Sequence, residues 1–221
     1  MTVPRRRGHG RLIAIEGIDG AGKSTLTRAL GRALRRRGYT VRLRREPSDR
    51  TIGRLAQVAG AGDPWTGAVY FTVDRHLAAP ALRADLGRYD IVLSDRSFYS
   101  TLAYQGSRLA PRERLRLEQL QTRATVVPDT VVLLDLPPSW IARRLRGRGS
   151  SRGPLERTRA LVGVARTYRN LARRHGWVVL DARQPSRELL VACAAALRLE
   201  GRPTARRGKT LRHRDDPGPT G

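Results

Sequence analysis

The chain contains one cysteine, no long apolar run and few aromatic residues, and each shortage excludes a class of protein. Its single cysteine, Cys193, excludes an intramolecular disulfide and the common thiolate metal sites. Because Cys193 lies in an apolar stretch over residues 189–199, we interpret it as a small core residue. No apolar run approaches the ~20 residues that a membrane span needs, so no membrane partner is expected. With two Phe and three Trp in 221 residues, aliphatic side chains must supply most of the core.

Acidic residues are also scarce, and the resulting formal net charge is +25. Such an excess raises nucleic acid as a partner. The arginines are spread over almost every segment, however, and no zinc-ligand pattern, helix-turn-helix signal or aromatic-interleaved basic strip accompanies them. We therefore expect only nonspecific, salt-sensitive adhesion to nucleic acid. No apolar signal-peptide region follows the basic residues 5–7, so a cytoplasmic location is the expectation.

Lysine is the rarest basic residue, and one of only two lysines lies in a recognisable motif. Residues 17–24 read Gly-Ile-Asp-Gly-Ala-Gly-Lys-Ser, which is the GxxxxGK[ST] pattern of a phosphate-binding loop between an apolar run and a helical pattern. Backbone N–H groups in such loops face phosphate oxygens, Lys23 reaches the β- and γ-phosphates, and Ser24 ligates Mg²⁺. The motif predicts nucleotide binding; the alternative is a glycine-rich turn with a solvated lysine.

Short apolar runs alternate with helical patterns along most of the chain, which predicts an α/β fold. The expected architecture is the three-layer α/β/α arrangement of P-loop NTPases with a five-stranded parallel sheet. The predicted strands cover residues 11–16, 40–44, 90–94, 130–134 and 177–180. The predicted helices cover residues 23–37, 51–59, 64–86, 111–124, 139–146, 156–175 and 185–199. We expect a basic N-terminal arm at residues 1–10, one domain at 11–200 with a mobile lid at 143–157, and a disordered basic tail at 201–221.

Unusual polar residues follow the predicted strands, where ligands bind in open parallel sheets. Strand one leads into the phosphate-binding loop, strand two into Arg45-Glu46-Pro47, strand three into Asp95-Arg96, and strand four ends at Asp135. These side chains are therefore expected at one edge of the sheet. Asp135 has a second interpretation, as a turn residue at the strand end.

Taken together, these motifs resemble the thymidylate kinase family of P-loop nucleoside monophosphate kinases. The resemblance rests on Ile-Glu-Gly-Ile-Asp-Gly at 15–20, Arg-Glu-Pro at 45–47, Phe-Thr-Val-Asp-Arg-His at 71–76, the segment from Asp95 to Gly106, and the strand at 128–135, in the family's order and spacing. It spans roughly residues 11–199. It implies transfer of a phosphoryl group from ATP to dTMP with Mg²⁺, giving ADP and dTDP.

The resemblance also implies roles for individual residues. The implied catalytic residues are Lys23, Arg96, Asp19 and the lid arginines Arg148 and Arg152. The implied ATP-binding residues are Gly17, Asp19, Gly20, Ala21, Gly22, Lys23, Ser24 and Thr25. The implied metal-binding residues are Ser24 and Asp95. The implied residues for the acceptor nucleotide are Asp19, Arg45, Phe71, Arg75, Arg96, Ser100, Thr101, Tyr104 and Gln105.

The loop between Gly17 and Lys23 contains no arginine, and this absence resembles the bacterial type in which the lid provides the catalytic guanidinium. The choice of Arg148 and Arg152 among the lid arginines rests on that analogy, and a solvated loop charge is the alternative for each. Glu156 matches an acidic position that follows the lid, or is a carboxylate at a helix N-terminus. Phe71 stacks on the base by resemblance, and a core position is its alternative.

Two departures from the family pattern bear on the acceptor. The family usually has Gly-Gly-Thr after Glu-Pro, whereas this chain has Ser48-Asp49-Arg50, and Ser97 replaces an aromatic residue or histidine. A related kinase for another pyrimidine monophosphate therefore stays open as an alternative, as does a nucleotide-binding protein without transferase activity. The resemblance further implies a homodimer formed through the third helix and the helix after Asp95-Arg96.

Overall fold

The computed structural model describes residues 10–48, 51–59, 61–141 and 154–197. Residues 1–9 of the predicted N-terminal arm, residues 143–153 of the predicted lid and the predicted tail lie outside these residues, as do Arg148 and Arg152. The side chain of Glu156 lies outside them as well. Of the helices that the structure describes, none is long and apolar enough to cross a membrane.

Strands and helices alternate along the described chain. The strands are β1 Arg11–Glu16, β2 Val41–Arg45, β3 Ile91–Asp95, β4 Thr130–Asp135 and β5 Val178–Asp181. The described α-helices are α1 Lys23–Arg36, α2 Thr51–Ala59, α3 Pro64–Arg88, α4 Phe98–Tyr104, α5 Pro111–Ala124, α6 Pro154–His175 and α7 Ser186–Ala196. Short 3₁₀ turns lie at Gly106–Arg108 and Pro138–Trp140.

The five strands form one parallel sheet in the order β2-β3-β1-β4-β5. Side chains of the central strand β1 alternate between two cores, because successive residues of a strand face opposite sides. Ile13 and Ile15 pack with residues of α1, α6 and α7, whereas Ala14 packs with residues of α3, α4 and α5. Helices therefore cover both faces, and the predicted three-layer α/β/α arrangement with a five-stranded parallel sheet is confirmed.

Helix α4 is absent from the sequence-based prediction because it lacks a polar face. Its residues from Phe98 to Ala103 are all buried, so the apolar and polar alternation that marks a surface helix does not appear. Ser97 begins the helix as its N-cap and accepts a hydrogen bond from the backbone N–H of Tyr99. The predicted helix at residues 139–146 begins instead with the 3₁₀ turn Pro138–Trp140, and its residues from 142 onward lie outside the described part of the chain.

Leu93 tests the importance of the central strands for stability. Its side chain is fully buried in β3, so Leu93→Ala is expected to lower the free energy of unfolding by about 2 to 5 kcal/mol through lost burial and a residual cavity. Val179→Ala in β5 is the matched control, because Val179 is 51% exposed and its loss is expected to cost about 0.5 kcal/mol or less. Urea denaturation measures both; equal effects would contradict this core assignment.

Candidate functional site

The phosphate-binding loop joins the end of β1 to the start of α1 in a conformation that requires glycine. Gly17 has φ +144°, and a Cβ on it would lie 2.6 Å from the carbonyl oxygen of Leu134. Gly22 caps α1 with φ +97°, in the left-handed region. The loop therefore leaves the carboxyl edge of the sheet with its backbone turned around the N-terminus of α1, where the helix dipole favours an anion.

Lys23 is the first residue of α1, and its side chain is only 7% exposed. Its ammonium group donates to the carbonyl oxygen of Ile18 at 2.9 Å and lies 4.0 Å from Oδ1 of Asp19. Burial, aided by the positive charge of Arg96, lowers the pKa of Lys23 to about 8, although nearby carboxylates oppose the shift. The loop thus holds an ammonium group that an approaching phosphate would stabilise.

The next residue, Ser24, contacts the neighbouring strand. Its hydroxyl donates a short hydrogen bond to Oδ2 of Asp95, the last residue of β3. The contact follows from the parallel pairing of β1 with β3, which brings Ile15 opposite Asp95. A hydroxyl and a carboxylate oxygen thereby lie together beside Lys23, and these are ligand types that Mg²⁺ accepts.

Arg96 follows β3 directly, and its backbone has φ +80°, a left-handed conformation that costs an arginine roughly 1–2 kcal/mol. Its N–H donates to the carbonyl oxygen of Ile15 at 3.0 Å. The guanidinium donates from Nη1 to Oγ of Ser100 at 2.9 Å and from Nη2 to Oδ1 of Asp19, and it lies 5.2 Å from the ring centroid of Tyr104. Although burial opposes it, the acidic groups around the guanidinium hold the pKa of Arg96 well above its usual value.

Asp19 links the two cations of the site. Partial desolvation by its neighbours opposes the shift, but Arg96 and Lys23 together hold the pKa of this exposed carboxyl below the usual value. The backbone N–H of Asp19 donates to the hydroxyl of Tyr104 at 3.0 Å. Burial raises the pKa of Tyr104, which keeps its hydroxyl protonated. The carboxylate of Asp19 is therefore charged and lies between an ammonium and a guanidinium.

A buried carboxylate behind Arg96 was missed by sequence reasoning. Glu16, the last residue of β1, has no exposed surface and accepts hydrogen bonds from both Ser97 and Ser100 at 2.7 Å and from the hydroxyl of Tyr168 at 2.9 Å. The signal in the sequence is an acidic residue at the end of an otherwise apolar strand. Its partners could not be found from spacing, because Tyr168 is 152 positions away.

Arg75 is buried on α3, and its guanidinium is hydrogen-bonded on several sides. Nε donates to Oε2 of Glu46 at 2.6 Å, Nη1 donates to Oγ1 of Thr101 at 2.8 Å, and Nη2 donates to the carbonyl oxygen of Ser97 at 3.1 Å. Gln121 lies 3.4 Å from Nη1. Burial raises the pKa of Glu46 even though the charge of Arg75 opposes the shift. Arg75 is thus held between the end of β2 and α4.

The predicted base-binding residues lie on the middle of α3 and along α4. Phe71 is partly buried, and the guanidinium carbon of Arg75 lies 5.8 Å from its ring centroid. Ser100 and Thr101 are buried, and each hydroxyl accepts a hydrogen bond from one of the two arginines. Gln105 is also buried and ends α4.

The end of β2 and the segment after it bring Arg45 and Ser48 to one side of α3. Both residues line a cavity with Glu46 and Asp74, and Arg45 itself is exposed. Ser48 donates from its backbone N–H to Oδ2 of Asp74 at 2.8 Å and from its hydroxyl to Oδ1. Ser48, which departs from the family pattern, is therefore held by the buried carboxylate of Asp74. Sequence reasoning assigned no role to Asp74. Asp49 and Arg50 lie outside the described residues.

A second pocket, also missed from the sequence, lies on the other side of the phosphate-binding loop. The turn between β5 and α7 contributes Gln184 and Ser186, which face residues of the loop and α1. The remaining lining residues are Ala21, Gly22, Thr25, Leu26, Ala29 and Leu189. The strand order could have indicated this pocket, because β5 also ends at the carboxyl edge of the sheet.

Asp135 ends β4 and pairs with the helix that follows the predicted lid. Both of its carboxylate oxygens accept from Nε of Arg169 on α6, at 3.0 and 2.8 Å. Asp135 therefore links the sheet to α6 and does not join the cluster of Lys23 and Arg96. The lid arginines themselves lie outside the described residues.

Comparisons with known proteins agree with this geometry. A family model described as thymidylate kinase matches residues 15–192. A probable thymidylate kinase of Sulfurisphaera tokodaii is 36% identical over 179 residues, which is 81% of this chain and 91% of the relative. A thymidylate kinase of Xanthomonas oryzae pv. oryzae is 43% identical over 160 residues, which is 68% of this chain and 66% of the relative. The family model covers most of the chain, and the chain therefore belongs to the thymidylate kinase family.

Proposed function

We propose that this protein phosphorylates dTMP with ATP, giving dTDP and ADP, and that it does so in the cytoplasm. The observation that carries the proposal is the position of Asp19 between two cations. Its carboxylate accepts from Arg96 and lies 4.0 Å from the ammonium of Lys23. A cation of the phosphate-binding loop and a second cation after β3 therefore lie close enough to hold two phosphates side by side, which phosphoryl transfer requires.

On the donor side, the phosphate-binding loop holds ATP. Lys23 contacts the β- and γ-phosphates, and its charge stabilises the transferring group. Backbone N–H groups of the loop and of the first turn of α1 bind phosphate oxygens. The participating residues are Gly17, Asp19, Gly20, Ala21, Gly22, Lys23, Ser24 and Thr25. The pocket that contains Gln184 adjoins this loop, and we assign the nucleoside of ATP to it.

Ser24 and Asp95 fit a magnesium ion. Their oxygens already meet in a hydrogen bond beside the phosphate-binding loop. Mg²⁺ usually takes one or two protein oxygens and completes its shell with water and substrate phosphates, so this pair is a sufficient protein contribution. When bound, the ion would neutralise charge on the donor phosphates.

On the acceptor side, Arg96 binds the phosphate of dTMP. Its Nη1 stays on Ser100, while the incoming phosphate replaces the carboxylate of Asp19 at Nη2. A planar guanidinium suits this contact because it can donate two hydrogen bonds to one phosphate. Arg45 is exposed on the neighbouring strand end and supplies a second positive charge. The displaced carboxylate of Asp19 then contacts the acceptor sugar or its phosphate.

We assign the base and sugar of dTMP to side chains of α3 and α4. Phe71 stacks on thymine, Arg75 reaches a base carbonyl, and Tyr104 lies against the deoxyribose where a 2′-hydroxyl would crowd it. Polar contacts come from Ser100, Thr101 and Gln105. Among the lid arginines, Arg148 and Arg152 complete the charge around the transferring phosphoryl group.

A panel of acceptors tests this proposal. With Mg·ATP at moderate salt, we expect kcat/KM for dTMP to exceed that for dUMP, dCMP and UMP, because Phe71 and Arg75 are assigned to the thymine base and Tyr104 to the deoxyribose. Coupled ADP release measures the four rates. A higher kcat/KM with another pyrimidine monophosphate would indicate that the segment after β2, which departs from the family pattern, changes the acceptor specificity. Absence of ADP release with all four monophosphates would contradict kinase activity.

The lowered pKa of Lys23 predicts that ATP binding takes up a proton. In the free protein the ammonium loses its proton around pH 8. Bound phosphates favour the charged form and raise this pKa, so about half a proton is taken up at pH 8 and the affinity for ATP falls as the pH rises above it. Calorimetric titration in two buffers of different ionisation enthalpy measures the uptake.

Lys23→Met is the control for the proton measurement, because it removes the titrating group. Its binding heat is expected to show less buffer dependence than that of the unmodified protein. Equal buffer dependence in both proteins would contradict the assignment of the proton to Lys23.

We further propose a homodimer that forms through α3. Val69, Val73 and Leu77 recur every four residues and are all exposed, so they form an apolar stripe on one face of the helix. Helix α4, which directly follows Asp95-Arg96, is buried from Phe98 to Ala103 and offers no such surface. The dimer proposal therefore rests on α3 alone.

Val73→Asp tests the dimer. Val73 is 40% exposed at the centre of the stripe, so a carboxylate there is expected to shift the protein toward the monomer by placing two charges in an apolar contact. Val191→Asp on α7 is the matched control, since Val191 is 65% exposed on another helix. Sedimentation velocity gives the oligomeric state. A dimer that survives Val73→Asp as well as the control would exclude this surface.

A further inference from the structure

Glu16 is a fully buried carboxylate that the proposed chemistry does not use directly. Its Oε1 accepts from the backbone N–H and the hydroxyl of Ser97, both at 2.7 Å. Its Oε2 accepts from the hydroxyl of Ser100 at 2.7 Å and from that of Tyr168 at 2.9 Å. A buried charge is costly unless it is fully hydrogen-bonded, and both oxygens of Glu16 are so satisfied.

The hydrogen-bond partners of Glu16 connect it to the backbone and to the guanidinium of Arg96. Ser97 is the next residue in the chain, so its hydrogen bonds to Glu16 fix the backbone just after the left-handed residue. Ser100 donates its single hydroxyl proton to Glu16, which leaves its oxygen free to accept from Nη1 of Arg96 at 2.9 Å. The neighbouring residue Ile15 accepts the backbone N–H of Arg96 at 3.0 Å. The end of β1 thereby holds the backbone and the side chain of Arg96 together.

Tyr168 extends the same network to α6. Its hydroxyl lies 2.9 Å from both Oε2 of Glu16 and Oγ of Ser100, and its side chain is buried in the core. Its ring meets that of Tyr104 at nearly a right angle, with the centroids 6.4 Å apart. Tyr104 in turn lies beneath the guanidinium of Arg96. Helix α6 therefore touches the network through one hydroxyl and one ring edge.

We propose that Glu16 is a positioning residue that acts through Ser97, Ser100 and Tyr168 to aim Arg96 at the acceptor phosphate. The inference rests on the proposed function, in which Arg96 binds that phosphate. Because the Ser100 hydroxyl donates to Glu16, its oxygen accepts from Nη1 of Arg96. This contact keeps Nη2 directed toward Asp19. An arginine held in this way needs no reorganisation when the phosphate arrives.

Glu16→Gln tests the inference with little change of shape. The amide nitrogen would donate to Ser100 or Tyr168 where the carboxylate accepted, which reverses the hydroxyl direction that Arg96 depends on. We expect kcat/KM for dTMP to fall about 10- to 100-fold, by analogy with residues that orient metal ligands, with a raised KM for dTMP. The Kd for ATP without dTMP should change much less, because the hydrogen bonds of Glu16 go to Ser97, Ser100 and Tyr168 and its link to Lys23 is its charge.

Two further variants separate positioning from a merely structural role. Asp129→Asn is the matched control, because Asp129 accepts from the backbone N–H of Leu12 at 2.7 Å at the opposite end of β1. It is expected to lower stability without changing KM for dTMP. Tyr168→Phe removes one hydrogen bond from Glu16 with less disturbance, and it should reproduce a smaller rise in KM for dTMP if Glu16→Gln fails to fold.

A double-mutant cycle of Glu16 and Arg96 tests whether Glu16 acts through Arg96. If Glu16 acts through Arg96, Glu16→Gln in an Arg96→Ala background should cost almost nothing further in kcat/KM for dTMP. Independent, additive losses would overturn the inference, as would a fall in ATP affinity that matches the loss toward dTMP. A wild-type protein without activity on dTMP would instead contradict the proposed function, and so the two failures are distinguishable.

Discussion

The pairing of β1 with β3 is the constraint on which the candidate site depends. Ile15 lies opposite Asp95 in this register, and the next residue, Arg96, donates its backbone N–H to Ile15. Because both strands are parallel, the phosphate-binding loop and the Asp95-Arg96 segment leave the sheet at the same edge. A shift of one residue would exchange the two faces of the strand and would move Asp95 away from Ser24. The backbone register therefore sets the distances between side chains that meet the donor and the acceptor.

A second constraint is electrostatic, because Lys23 and Arg75 lie buried and Arg96 lies partly buried at this edge. Each has a carboxylate partner: Lys23 and Arg96 share Asp19, and Arg75 pairs with Glu46. Without these partners the desolvation cost of the cations would oppose folding. The carboxylate of Asp19 is accessible, so an incoming phosphate can take its place, whereas Glu46 and Arg75 remain joined within the wall of the pocket. The contact of Asp19 with Arg96 can thus be replaced by a phosphate, whereas the ion pair of Arg75 with Glu46 is structural.

Sequence reasoning succeeded where the signal is local. The strands were predicted to within one residue at each end, because a buried parallel strand leaves a short apolar run, and the phosphate-binding loop carries its own glycine and lysine spacing. Helix α4 escaped because burial on all sides removes the helical period. Glu16, Asp74 and Gln184 escaped because their roles depend on partners from distant parts of the chain. Local patterns reveal elements and loops, but buried polar networks become visible only when the elements are assembled.

The choice of lysine at position 23 follows from this arrangement. Elsewhere the chain uses arginine almost exclusively, so composition alone would favour arginine at this position too. The ammonium of Lys23 instead turns back within its own loop to the carbonyl oxygen of Ile18, a space that suits a compact donor better than a planar guanidinium. Burial, aided by the charge of Arg96, also lowers the pKa of Lys23 to about 8, so this ammonium can titrate near neutral pH, whereas a guanidinium stays charged. Lysine at this position can therefore lose its proton in the mildly alkaline range, and a bound phosphate would favour its charged form.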